Sequence, residues 1–199
     1  MRDLHKKGYT RATLSGDAWA CAREMIGSSD GQRHSSYKRW DKYFPKLTLA
    51  LDSALRPGYF GGVNFSANPG IHEGGIVHYD IHNSYGSVMM WARMPYGIPT
   101  ETEDWPRESE LFIANVRIKL KLREGLRPWF QFKNGTDNLI EGWDHGTLVK
   151  ETKEFHVLTL SSVDLDILDD WYEITFDDGY DERFWVFQSK EGLLAPYID

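Results

Sequence analysis

The chain has 199 residues, 41% of them hydrophobic, and a formal net charge of -7. That is enough apolar material for a buried core in one large domain or two small ones. A single cysteine, Cys21, excludes an intramolecular disulfide and a zinc knuckle, and without an apolar leader or an 18-residue apolar run a soluble chain in a reducing compartment is expected.

The charge is unevenly spread. Residues 1 to 62 carry 11 Lys and Arg against 6 Asp and Glu, whereas residues 63 to 199 carry 12 against 24. Phosphate contacts need cations, so any nucleic acid is expected against the N-terminal third, and the acidic remainder against solvent or a protein.

In chain order, residues 1 to 12 are polar and basic. Ser15 reads as an N-cap for a helix whose stripe of Ala18, Trp19, Cys21, Ala22, Met25 and Ile26 ends at Gly27; Cys21 belongs to that stripe and is expected to be structural. A Gly, Ser, Asp and Gln loop follows over 28 to 36. Lys38 to Lys46 interleaves basic residues with Tyr37, Trp40, Tyr43 and Phe44, a pattern that fits either a backbone-tracking surface with stacking aromatics or a helix with its aromatics buried. Tyr59-Phe60-Gly61-Gly62 sets two glycines behind an aromatic pair, allowing a bend or a close backbone approach.

Ile76 to Pro99 reads as an apolar strand, one central carboxylate, a helix-like run and a Pro-Gly-Pro exit. Strand alternation would put His78, Asp80 and His82 on one face and Ile76, Val77, Tyr79 and Ile81 in or near the core. A carboxylate at the end of an apolar strand is costly to bury unless a cation or donor meets it, which marks Asp80 as a candidate site. Beyond it, Leu111 to Leu122 alternates cleanly, with Phe112, Ala114, Val116, Ile118, Leu120 and Leu122 on one face and Arg117, Lys119 and Lys121 on the other, the signature of a half-buried strand. Trp129 to Phe132 and Phe155 to Leu160 are further strand candidates, separated by loops around 133 to 135 and 143 to 146. Ser161 or Ser162 caps a short helix carrying Leu165, Leu168 and Tyr172, and Asp177-Asp178-Gly179-Tyr180 reads as a hairpin turn between Trp171 to Phe176 and Phe184 to Phe187.

The run Asp80, Ile81, His82, Asn83, Ser84, Tyr85, followed by Met94-Pro95-Tyr96-Gly97-Ile98-Pro99, resembles motif A of the protein-primed family B DNA polymerases of phages and linear plasmids. Thr13 to Trp19, Phe44 to Leu47 and Tyr59 to Gly62 upstream, with Arg123 to Pro128 and Leu160 to Leu165 downstream, follow that family's order over nearly the whole chain. The resemblance implies an α+β chain, a partial polymerase palm with a β-rich insertion subdomain: residues 1-12 close the exonuclease connection, 13-100 form the palm segment, and 101-199 form the insertion that contacts a terminal, priming protein. It also implies Asp80 as a catalytic metal ligand with the Ile81 carbonyl beside it, Tyr85 as the steric gate beneath the sugar, Asn83 and Ser84 around the nucleotide, and Tyr59, Phe60, Gly61 and Gly62 against the template. The resemblance further implies Mg²⁺ in a two-metal site completed by a carboxylate outside this chain, and, in the intact enzyme, primer-template DNA, a deoxynucleoside triphosphate and the priming protein as partners, with no membrane and, for a phage or prophage protein, a host bacterial cytoplasm.

The family's second carboxylate motif and its triphosphate-binding lysine motif do not occur in the 199 residues, so the chain is expected to be a fragment, inactive alone. Asn83, Ser84 and Gly86 depart from the family's Ser, Leu or Met, and Pro. Two other readings stand beside this one: a hydrolase or oxygenase holding Zn²⁺ or Fe²⁺ on His78, Asp80 and His82, and a noncatalytic binding module of prophage origin.

Overall fold

The computed structural model describes residues 43–59, 70–75, 77–82, 84–131 and 148–195. The expected helix from Ser15 with Cys21, the loop over 28 to 36, most of the Lys38 to Lys46 stretch, Phe60 to Gly62, Ile76, Asn83 and the two loops after Trp129 lie outside them. The described chain is mixed helix and strand, an α+β fold. In order it forms α1 (Leu49–Leu55), a 3₁₀ turn (Arg56–Gly58), α2 (Ser84–Trp91), β1 (Arg93–Thr102), β2 (Leu111–Leu122), β3 (His156–Ser161), α3 (Ser162–Trp171), β4 (Tyr172–Phe176) and β5 (Arg183–Glu191).

Strand β2 has the bounds that its alternation predicts. Phe112, Ala114, Val116, Ile118 and Leu120 are buried on one face, while Arg117 and Lys121 stay exposed. Each edge of the strand meets a different partner, always antiparallel. On one edge Ile113 to Ile118 pair with Ser161 to His156 of β3. On the other, Leu111 to Asn115 pair with Phe187 to Arg183 of β5, and Ile118 to Leu122 with Phe176 to Tyr172 of β4. The strand order is β1-β5-β2-β3, with β4 joined to β2 outside that path.

This arrangement corrects the expected hairpin at Asp177 to Tyr180. The turn forms, with the Tyr180 N–H donating to the Asp177 carbonyl at 3.0 Å and the Gly179 N–H to Asp177 Oδ1 at 3.1 Å. Yet β4 and β5 do not pair with each other. Both lie along one edge of β2, and residues 177 to 182 leave and rejoin that edge as a six-residue excursion. A 12-residue strand is long enough to template two short ones in succession, and its hydrogen-bonding groups are satisfied that way rather than by a free-standing ribbon.

The same holds on the opposite edge. The ladder continues past β3 through Leu122 N–H to the Lys150 carbonyl at 2.7 Å and Thr152 N–H to the Leu120 carbonyl at 2.8 Å. The buried Thr152 hydroxyl takes the Leu120 N–H at 2.8 Å. Where a strand was expected over Trp129 to Phe132, a single bridge pairs Gln131 with Leu148.

Helix α3 closes the core. Ser161 caps it in a reciprocal box: its hydroxyl accepts from the Asp164 N–H at 3.2 Å, and Asp164 Oδ2 accepts from the Ser161 N–H at 3.0 Å. Such a pair satisfies two otherwise orphaned donors. Leu165 and Leu168 turn inward against Val116, Ile118, Leu120, Leu158, Leu160 and Phe184. Tyr172, expected as the helix's last apolar residue, opens β4 instead and is fully buried. Its hydroxyl donates to the Val149 carbonyl at 2.9 Å and accepts from the Trp129 and Phe130 N–H groups, each at 3.4 Å. It thereby ties two strand-poor segments to the sheet.

Met94 to Pro99, read from sequence as an exit from a helix, is part of β1. Two prolines are tolerated there because β1 is an edge strand, where a missing N–H costs no ladder bond, and Gly97 takes the positive φ of 80° that the strand's irregularity requires. The chain divides into two compact units: one draws its described residues from within 1–46, 78–98 and 188–199, the other from within 47–77 and 99–187. The sheet's core belongs to the second.

Burial pushes the Tyr172 hydroxyl above the usual tyrosine range, opposed by the backbone N–H groups of Phe130 and Trp129. The folded chain thus keeps a proton that the unfolded chain gives up near pH 10, so the stability this residue supplies is whole below that pH and is lost as pH rises through it. Tyr172→Phe is expected to lower the unfolding free energy by about 1–3 kcal/mol at neutral pH, read from the urea midpoint at constant slope. The gap between the two proteins should narrow above pH 10.

Candidate functional site

The apolar stretch before Asp80 is not a strand. Residues 77 to 82 run as irregular backbone, and Val77, Tyr79 and Ile81 are 70%, 88% and 76% exposed. Alternation along a sequence specifies which face a strand would bury, but a strand exists only when a neighbour takes its N–H and C=O groups, and no described strand pairs with this one.

Asp80 itself is exposed, and no hydrogen bond or ion pair among the described residues holds its carboxylate. It offers hard oxygen donors, the chemistry that Mg²⁺ prefers, with the Ile81 carbonyl next along the backbone. It is one carboxylate, enough for one metal ligand and not for a two-metal centre. His78 and His82 are exposed as well. Among the described residues no group of three or more His, Cys, Asp or Glu gathers to hold a metal ion, which removes the zinc or iron reading of His78, Asp80 and His82: with the strand absent, the spacing that would align them is absent too.

The helix-like run after Asp80 is α2. Ser84 is its first residue and Tyr85 its second, with the Tyr85 ring 83% exposed; Asn83 lies outside the described residues. Gly86, standing where motif A carries proline, is buried. Val88 and Trp91 are 59% and 77% exposed, so the helix is apolar on faces that meet no described neighbour. In the other unit, Tyr59 caps the 3₁₀ turn, its N–H donating to the Arg56 carbonyl at 3.1 Å and its ring 81% exposed. Phe60, Gly61 and Gly62 lie outside the described residues.

Sequence reasoning passed over a second group, in the unit that holds the sheet core. Trp105 packs at 4.8 Å from Phe184 and edge-on at 5.4 Å from Phe176. Burial pushes Glu182 above the usual carboxylate range, opposed by the Trp105 indole. The Tyr180 hydroxyl donates to Asn115 Oδ1, and Asn115 in turn donates to Thr159 Oγ1 at 3.1 Å. Arg117 pairs with Asp177 at 3.0 Å. No sequence signal joins residue 105 to 176–184, because the sheet register brings them together.

The sequence model for DNA polymerase type B, organellar and viral, matches residues 6–199, and the chain belongs to that family. It is 28% identical to the DNA polymerases of Bacillus phages Nf and B103 over 201 and 204 residues, and to that of Bacillus phage phi29 at 28% over 201 residues. Each alignment covers 98% of this chain and 32% of the phage enzyme, so the chain spans about a third of the length of these relatives. Among solved structures, the phi29 DNA polymerase in an orthorhombic crystal form matches with a TM-score of 0.73 at 26% identity, over 98% of this chain and 33% of that one. The phi29 enzyme complexed with primer-template DNA matches with a TM-score of 0.70 at 26% identity, over 96% and 31%. Among the described residues no helix is long and apolar enough to cross a membrane.

Exposed residues without partners contribute little to folding. Asp80→Asn and Tyr85→Ala are each expected to change the unfolding free energy of the chain by less than about 0.5 kcal/mol. A larger loss in urea titrations would assign these side chains to packing rather than to chemistry.

Proposed function

We propose that the chain is a portion of a template-directed, protein-primed DNA polymerase, a palm segment over 13-100 joined to an insertion over 101-199 that contacts the priming protein. The observation that carries this is the exposed Asp80 carboxylate, which no hydrogen bond or ion pair among the described residues holds, set at motif A spacing before α2 and its exposed Tyr85. Primer-template DNA is the substrate class, in keeping with the DNA complex of the phi29 relative, and the setting is a host bacterial cytoplasm.

Mg²⁺ is the metal. When bound, it neutralises the triphosphate and lowers the pKa of the primer hydroxyl. Asp80 and the Ile81 carbonyl hold it from this chain, and a carboxylate elsewhere in the intact enzyme completes the pair. Tyr85 lies beneath the incoming sugar and rejects a 2′-hydroxyl by occupying its space, while Asn83 and Ser84 frame the nucleotide. Tyr59, Phe60, Gly61 and Gly62 contact the template strand. The terminal, priming protein meets residues 101-199, whose last 36 positions carry 11 acidic and 2 basic side chains. That surface repels phosphates within a Debye length of roughly 8 Å at physiological salt and steers a basic protein inward.

In the intact parent, Asp80→Asn should cut nucleotide addition by about a thousandfold or more, equivalent to about 4 kcal/mol of transition-state stabilisation, with primer-template affinity nearly unchanged. Tyr85→Ala should raise ribonucleotide incorporation at little cost to DNA synthesis. Primer-extension assays with each nucleotide class read both. Full activity in the Asp80 variant would remove it from the metal site, and unchanged sugar discrimination would remove Tyr85 from the gate.

A further inference from the structure

The excursion at 177 to 182 borders an open hollow. Together with Trp105 and Glu103 it lines a cavity of about 590 Å³, within the range of ligand pockets. Three of the lining residues, Trp105, Phe176 and Tyr180, are aromatic, and the remaining ones, Glu103, Asp177, Asp178, Asp181 and Glu182, are all carboxylates. Trp105 is 53% exposed and packs against Phe176 and Phe184.

The cavity is built before any ligand arrives. The Arg117–Asp177 ion pair and the Asp177 N–H bond to the Arg117 carbonyl at 2.9 Å fix one end of the excursion, and the chain Tyr180–Asn115–Thr159 fixes its middle across β2 and β3. Preorganisation of this kind lowers the ordering cost of binding.

Its chemistry selects among cations. The carboxylates are not gathered closely enough to hold a metal ion, and phosphate is repelled. A flat, delocalised cation suits both kinds of lining residue: a guanidinium stacks on an indole face and bonds to carboxylates at its edge.

We propose that this cavity receives an arginine side chain from a basic segment of a partner protein. The proposal rests on the reading that residues 101-199 meet a basic priming protein, and it assigns the pocket that anchors that contact.

The test uses the 199-residue chain labelled with ¹⁵N, titrated with a blocked Gly-Arg-Arg-Gly peptide and its citrulline counterpart. The Trp105 indole resonance, identified by its loss in Trp105→Phe, should shift saturably with the arginine peptide and stay still with the neutral one. Read from the backbone amides of residues 177 to 182, Trp105→Ala and Glu182→Gln should each weaken binding by about tenfold, whereas Asp170→Asn, an equal change of charge on α3, should leave it unchanged. The remaining indole resonances report whether each variant is folded, and Glu182→Gln keeps the test decisive if Trp105→Ala unfolds. No shift at Trp105, or equal losses in all three variants, overturns the pocket.

A second arm measures binding of the parent replicon's priming protein. Binding that is indifferent to Trp105→Ala and Glu182→Gln overturns the pocket and leaves the partner reading standing. Arginine-peptide binding at Trp105 with no binding of the priming protein supports the pocket and removes the partner reading.

Discussion

Strand β2 is hydrogen-bonded along both edges, and the described fold follows from that. Ala114 faces Leu160 on one side and Phe184 on the other, and Ile118 faces His156 and Phe176. A strand in this position has no free backbone groups to satisfy elsewhere, so its register fixes the register of β3, β4 and β5. Because side chains alternate with a period of two, a slip of one residue would carry Phe112, Ala114, Val116, Ile118 and Leu120 from the core to the open face. The apolar set therefore specifies more than its own strand: it dictates which residues of three other strands can meet α3.

The length of β2 also explains the excursions. Its twelve residues exceed the reach of any one partner, so each edge is covered by two shorter pieces with irregular chain between them. On one edge the interruption is 177 to 182, braced by Arg117 and Asn115 from β2 itself. On the other, residues 152 to 155 separate the Lys121–Glu151 bridge from β3, and the Phe155 ring lies 4.4 Å from Lys119 Nζ. Basic residues that sequence alone places on a solvated face are thus engaged, Arg117 with Asp177 and Lys121 with Glu173 at 3.3 Å.

What was legible in the sequence divides along physical lines. Alternation over twelve residues identified β2 to its ends, and a serine, Ser161 or Ser162, ahead of Leu165 and Leu168 identified the start of α3, because both signals are local. The alternation of residues 76 to 82 was equally clear and misled: burial of a strand depends on a partner that periodicity does not reveal. The hairpin was misread for a related reason, since Asp177 to Gly179 encodes a turn but not which strand receives the chain afterwards. Tyr172, Trp105 and Asn115 carried no local signal, for their partners lie 23, 42 or 65 positions away or at similar remove in the sheet. Asp80 and Tyr85 were legible as a pattern, and the fold adds that neither is engaged in holding the described chain together.

Amide hydrogen exchange on the 199-residue chain tests the central claim most directly, because it reads backbone pairing residue by residue. The account predicts that Ala114 to Leu120 are the most protected amides, exchanging only through global unfolding, while residues 77 to 82 exchange at rates near those of an unstructured peptide. Protection of residues 77 to 82 comparable to that of β2 would contradict it, since the Asp80 segment would then be a paired strand and the sheet would not be organised around β2 alone.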